Sequence, residues 1–162
     1  MQKVTVLAEP ELMQPLEYDV DNGELEIGYE GNITCFKTNF GVWINITVPD
    51  LKEIEASGEN IIESEGDLDL DNLVISTSGI ATVNLTGEVT TQTLICSGQM
   101  VVHNFNLLTQ STNIVISGQG TMEVFCAVSL DIDMSGSATI SYKGNPTISQ
   151  KVSGSLNLIN SN

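Results

Sequence analysis

The dipeptide Ser-Gly recurs six times in the chain, with its serines at Ser57, Ser78, Ser97, Ser117, Ser135 and Ser153. The steps between them are 21, 19, 20, 18 and 18 residues. A period near twenty is the mark of a solenoid, in which each repeat is one coil and no coil can bury its apolar side alone. Aligning the segments on their serines shows which side that is. Five residues after the serine stand Ile62, Val83, Val102, Met122, Ile140 and Leu158, all apolar. Three before it stand Ile54, Ile75, Leu94, Ile114, Ile132 and Gln150, and one before it Ala56, Thr77, Cys96, Ile116, Met134 and Val152. Six after it the column is polar until the last repeat: Glu63, Asn84, His103, Glu123, Ser141 and Ile159. Alternation on both sides of Ser-Gly is the two-residue period of a strand.

The reading is an all-β chain, a parallel β-helix of about six coils of 18–21 residues. Coils stacked at the strand spacing of ~4.8 Å hide their apolar sides against one another. Ser-Gly is the corner, where glycine turns the chain with a positive φ. Gly66, Gly87 and Gly144 punctuate the coils again and are read as further corners. Residues 1–48 lie outside the repeat. Within them, PLEYDVDNGELEIGY reads as a hairpin around Asp-Asn-Gly, PELMQPL as a short helical turn, and VWINITV as a strand leading into the first coil. The chain is expected to form one domain over 1–162, with a non-repeat β segment at 1–48 covering an end or flank of the coils at 49–162.

Charge narrows the function. Twenty-one acids face five lysines and no arginine, a net of −16, and no lysine occurs between Lys52 and Lys143. Nucleic-acid binding needs cations against phosphate, so it is excluded, and anionic membrane surfaces are excluded for the same reason. No apolar run is long enough to span a bilayer, which excludes direct membrane insertion by a helix. Polysaccharide lyases commonly use a β-helix, but their chemistry calls for a base and for cations on the sugar carboxylate. The coils supply no lysine or arginine for either, and their loops are too short to wall a deep cleft.

Candidate reactive groups are few. His103 is the only histidine, no GxSxG motif accompanies it, and its column places it outside as a solvated ladder residue. Cys35, Cys96 and Cys126 form no CxxC pair. No catalytic constellation, cofactor motif or metal motif is present. Asp67, Asp69 and Asp71 alternate onto one side of ESEGDLDLD and form a candidate weak cation or glycan edge. Val74, Ile95 and Val115 give an otherwise polar outward side an apolar middle, a candidate interface.

Four stretches carry a family resemblance: ITVPDLKEIEASG at 46–58, the recurring SGxxxV/I coils, YKGNPTISQKVSGS at 142–155, and VTVLAEPELMQPLEYDVDNGELEIGY at 4–29. They resemble the putative auto-transporter adhesin head domain, or head GIN domain, of exported bacterial proteins. The resemblance implies a right-handed β-helix and an exported location, at the cell surface or in the periplasm, and implies no catalytic residue. The expected function is a non-enzymatic surface module for adhesion or scaffolding. Its partner is a protein or glycan at a cell surface, or another copy of itself. A carbohydrate-binding or carbohydrate-active protein using the acidic edge, or a self-assembling structural protein, is the alternative.

Overall fold

The computed structural model describes residues 2–29, 38 and 40–162. The chain divides into two compact units, Met1–Pro49 and Asp50–Asn162. The first holds two antiparallel ribbons. Strand β1 (Lys3–Leu7) pairs with β4 (Trp43–Thr47), and β2 (Leu16–Asp21) with β3 (Glu24–Tyr29). Helix α1 (Pro10–Met13) is the expected single turn, started by Pro10. The expected hairpin is β2–β3, and its turn puts Asn22 at φ 49° and Gly23 at φ 88°, both positive as a tight two-residue turn requires. Pairing sorts this hairpin into an acidic face, with Asp19 opposite Glu26 and Asp21 opposite Glu24, and an apolar face, with Tyr18 opposite Ile27 and Val20 opposite Leu25. Like charges directly opposite one another cost stability. None of the described residues of this unit is fully buried.

The second unit is the solenoid. Strands β5 (Glu53–Asn104), β6 (Leu107–Phe125), β7 (Ser129–Lys143) and β8 (Thr147–Asn160) form one parallel sheet in chain order. The registers lay the corners over one another: Ser97 beside Ser117, Ser117 beside Ser135, Ser135 beside Ser153. The columns read from sequence point as expected. Val83, Val102, Met122 and Ile140 are fully buried, as are Ile75, Leu94 and Ile114. A polar group inside is held locally: the Thr109 hydroxyl donates to the Phe125 carbonyl at 2.6 Å, and the Cys126 thiol to the Ser129 carbonyl at 2.8 Å. The last residue closes on the coil before it, the Asn162 amide exchanging two 2.7 Å bonds with the backbone of Gly144.

The recurrence of glycine has a cause beyond the turn itself. Gly118 has φ 144°, and a Cβ on it would lie 2.1 Å from the Gly98 carbonyl oxygen. Gly79 meets Gly58, Gly98 meets Gly79, Gly136 meets Gly118 and Gly154 meets Gly136 in the same way. Any side chain there would force the coils apart, because the obstacle is backbone. Six stacked corners result, but the expected six coils are corrected to about four closed turns. The fully buried residues run only from Leu73 to Ile140. Leu51, Ile62, Leu68 and Leu70 in the first coil and Ile148, Leu156 and Leu158 in the last are only partly buried. A first or last coil stacks on one other coil of this solenoid instead of two, so its inward residues keep part of their exposure.

Candidate functional site

Alternation gives each straight stretch of the solenoid an outward face, and these faces are the places where a partner can be met. On the face before the corner, Ile95 lies beside Val115, Val115 beside Asp133, and Asp133 beside Lys151. Val115 is 42% exposed and Ile95 half-buried. Val74 is half-buried too and stands one outward position further from the corner, its N–H donating to the Lys52 carbonyl at 2.8 Å. The apolar group is therefore one adjacent pair with Val74 diagonal to it. Polar neighbours flank it: the Asn113 amide donates to the Thr93 hydroxyl at 3.3 Å, and the Lys151 ammonium to the Asp133 carboxylate at 3.1 Å.

Asp67, Asp69 and Asp71 are all exposed on β5, with Leu68 and Leu70 between them turned inward. Alternate residues on one strand stand ~6.6 Å apart, too far for neighbouring carboxylates to share one ion without a further ligand. Among the described residues no three His, Cys, Asp or Glu side chains come together as cation ligands. His103 is exposed and meets Glu123 of the next coil, Nδ1 to Oε2 at 2.9 Å, a surface pair of small energetic weight. Lys143 lies 4.3 Å from the centre of the half-buried Phe105 ring. None of these arrangements brings a nucleophile, a base and an orienting group together.

The face after the corner is chemically the most uniform. Gln99, Gln119, Ser137 and Ser155 form one outward ladder, and Val101, Thr121, Thr139 and Asn157 the next. A shallow groove of about 380 Å³ runs along the two ladders, lined also by Met100, Gly120 and Ala138. With Ile80 and Thr82 of the coil before, these two ladders carry no charge from the second coil to the last, in a chain of net charge −16, and the next outward position holds the His103–Glu123 pair. Its polar groups are amides and hydroxyls, which both donate and accept hydrogen bonds.

Comparison with known proteins places this solenoid. A family model described as putative auto-transporter adhesin, head GIN domain, matches residues 1–146. The chain belongs to this family. No curated protein matches it in sequence. Among solved structures it is similar to a putative adhesin from Bacteroides fragilis NCTC 9343, at 21% identity and a TM-score of 0.74, over 98% of this chain and 83% of that one. A putative adhesin from Parabacteroides merdae ATCC 43184 follows at 17% identity and a TM-score of 0.55, over 98% and 84%. A putative lipid binding protein from Parabacteroides distasonis ATCC 8503 stands at 19% and 0.55, over 98% and 85%. At these identities the likeness concerns the fold alone. Within the head GIN family, this chain has the parallel sheet and the stacked Ser-Gly corners that its sequence led us to expect. No helix among its described residues is long and apolar enough to cross a membrane.

The groove is the feature that reading the sequence for reactive groups passes over. Its signal lay in the columns two and four residues after each serine. Those columns hold Glu59 and Ile61 in the first coil and no charge in any later one.

Proposed function

We propose that the chain is a non-enzymatic, exported adhesive module that presents the face after its Ser-Gly corners to a neutral glycan at a cell surface. The observation that carries this reading is the uncharged ladder pair Gln99–Gln119–Ser137 and Val101–Thr121–Thr139 along one groove. A stiff stack of coils holds these groups at fixed spacing, so a repeating ligand meets them with little entropy left to lose. An anionic polymer is repelled by the acids elsewhere, and a cationic one finds no carboxylate in the groove. A neutral, hydroxyl-rich chain matches both conditions. The family supports binding without turnover, and no catalytic group is assembled among the described residues.

The test is a screen of immobilised neutral and acidic polysaccharides, followed by titration of the best ligand. The variant Gln119→Ala/Thr121→Ala, folded by circular dichroism, is expected to weaken binding on the order of tenfold, as hydrogen-bonded contacts are lost. Val115→Glu on the other face is expected to leave it unchanged. Binding only to acidic glycans, or binding indifferent to the groove variant, would refute the reading. Release of sugar products during the titration would refute its non-enzymatic part.

A further inference from the structure

The two ends of the solenoid are complementary, and we propose that copies of this chain stack end to end, the first coil of one on the last coil of the next. This goes beyond the glycan reading and does not depend on it. The sheet order leaves β8 at one edge and the opening of β5 at the other. At the β8 end an open hollow of about 550 Å³ is lined by Gln150, Val152, Gly154, Leu156 and Leu158, the inward residues of the last coil. Val152 is 38% exposed there. An unpaired parallel edge over an apolar lumen is a template for another strand.

The corner glycines say what kind of strand fits. Every later corner glycine faces the carbonyl of the one before it, at a distance no side chain allows. The carbonyl of Gly154 therefore offers the next place in the ladder, and only a glycine of positive φ can take it. Gly58 is such a residue: φ is 88°, and nothing lies within 4 Å of where its Cβ would be. Continuing the ladder by one step sets Gly58 of the incoming copy over Gly154. The same register brings Ala56 against Val152, Ile62 against Leu158 and Glu55 against Lys151.

Charge selects this arrangement over a two-fold joining of two β8 edges. Residues 50–72, the first coil, hold nine acids and one lysine, whereas residues 144–162, the last coil, hold one lysine, Lys151, and no acid. Head-to-tail stacking places the acidic end on the end without acids. Tail-to-tail stacking places Lys151 near its own copy. Lys151 is 85% exposed beside Asp133, so its ammonium can reach a second carboxylate. Such a heterologous contact does not close and extends into a row of solenoids. Each added copy would repeat the uncharged ladders, with Glu59 of its first coil interrupting them at the junction.

The experiment is light scattering of the full chain across a concentration series. It is run at 0.15 M salt, where screening over ~8 Å quiets the overall repulsion but leaves contact pairs intact. The expected result is a mass that rises with concentration past two copies. Gly58→Ala adds a methyl that meets no atom in the single copy, where it costs backbone strain alone, but clashes in the ladder contact, so it is expected to abolish assembly while circular dichroism stays that of the folded parent. Lys151→Glu is expected to weaken assembly on the order of tenfold, and Val115→Glu, on a flank, to leave it intact. A monomer at every concentration would overturn the proposal. So would a mass that stops at two copies and is indifferent to Gly58→Ala, or assembly lost in Val115→Glu alone.

Discussion

Replacing Gly118 with alanine tests the physical account of the repeat most directly. Two costs combine at this position. Its φ of 144° lies where L side chains are strained, which costs ~1–3 kcal/mol. The new Cβ would also sit 2.1 Å from the Gly98 carbonyl oxygen and 3.0 Å from its carbon. Both obstacles are backbone and neither can rotate away. Relief requires the two coils to separate at the corner, weakening two or three ladder hydrogen bonds at ~1 kcal/mol each. The sum is about 4 kcal/mol, a large share of the ~5–15 kcal/mol that holds an ordinary domain together. With a urea dependence of ~2 kcal/mol per molar, the midpoint falls by about 2 M. Two controls divide the effect. Gly58→Ala has the strain without the contact, since nothing lies within 4 Å, and is expected to lose only ~1–3 kcal/mol. Gly120→Ala has no positive φ and meets the Ile116 Cδ1 at 2.9 Å, the movable end of a side chain, so its cost is expected to stay under ~1.5 kcal/mol. Unfolding should be followed by far-ultraviolet circular dichroism, because the single tryptophan, Trp43, lies outside the solenoid. Equal losses for Gly118→Ala and Gly58→Ala would refute the reasoning, because the contact with the preceding coil would then carry no weight.

Two further outcomes follow from the interior. Gln92 is fully buried, and neither atom of its amide has a hydrogen-bond partner in the protein, so Gln92→Leu is expected to raise stability by about 1–2 kcal/mol in the same denaturation assay; a loss would mean that the amide is satisfied by an internal water. Burial raises the Cys96 thiol above its ordinary value of 9.0, so from about pH 9 upward the unfolded chain loses this proton while the folded chain keeps it. Stability must therefore fall as pH rises through that window, and Cys96→Ala should remove this part of the alkaline decline; an unchanged slope would sink the assignment.

The core was legible because a stacked coil leaves the chain no freedom. Met122 and Ile140 are buried at the same offset from different serines, and the offset alone predicted both. The number of closed turns was less legible. Leu158 occupies the same column as Met122 but is only partly buried. A column reports which side a residue faces, whereas burial also needs a coil above it. The mixed interior was legible only in part: Thr77 and Cys96 stood in the inward columns, but Gln92 and Asn104 lie far from the serine, where varying coil length blurs the alignment.

The outward columns follow a different logic. Packing does not choose between Gln119 and Glu123 on the outside of neighbouring positions, so no rule of the fold writes them. That indifference makes a regular choice informative. The acids that give the chain its charge crowd into the first coil and the β2–β3 hairpin, where Asp19 faces Glu26 and Asp21 faces Glu24 at a cost in stability. The columns two and four after the serine hold no charge from Ile80 to Asn157, although charged side chains would fit there as readily. Solubility accounts for acids anywhere on a surface, but it does not account for their absence from two adjacent ladders. The proposed glycan reading does, because amides and hydroxyls both donate and accept hydrogen bonds and meet an uncharged ligand without a counter-charge. The uncharged ladders and the acid-free last coil are thus the two places where this surface departs from its own average. One is read here as the meeting place with a glycan, the other with a second copy.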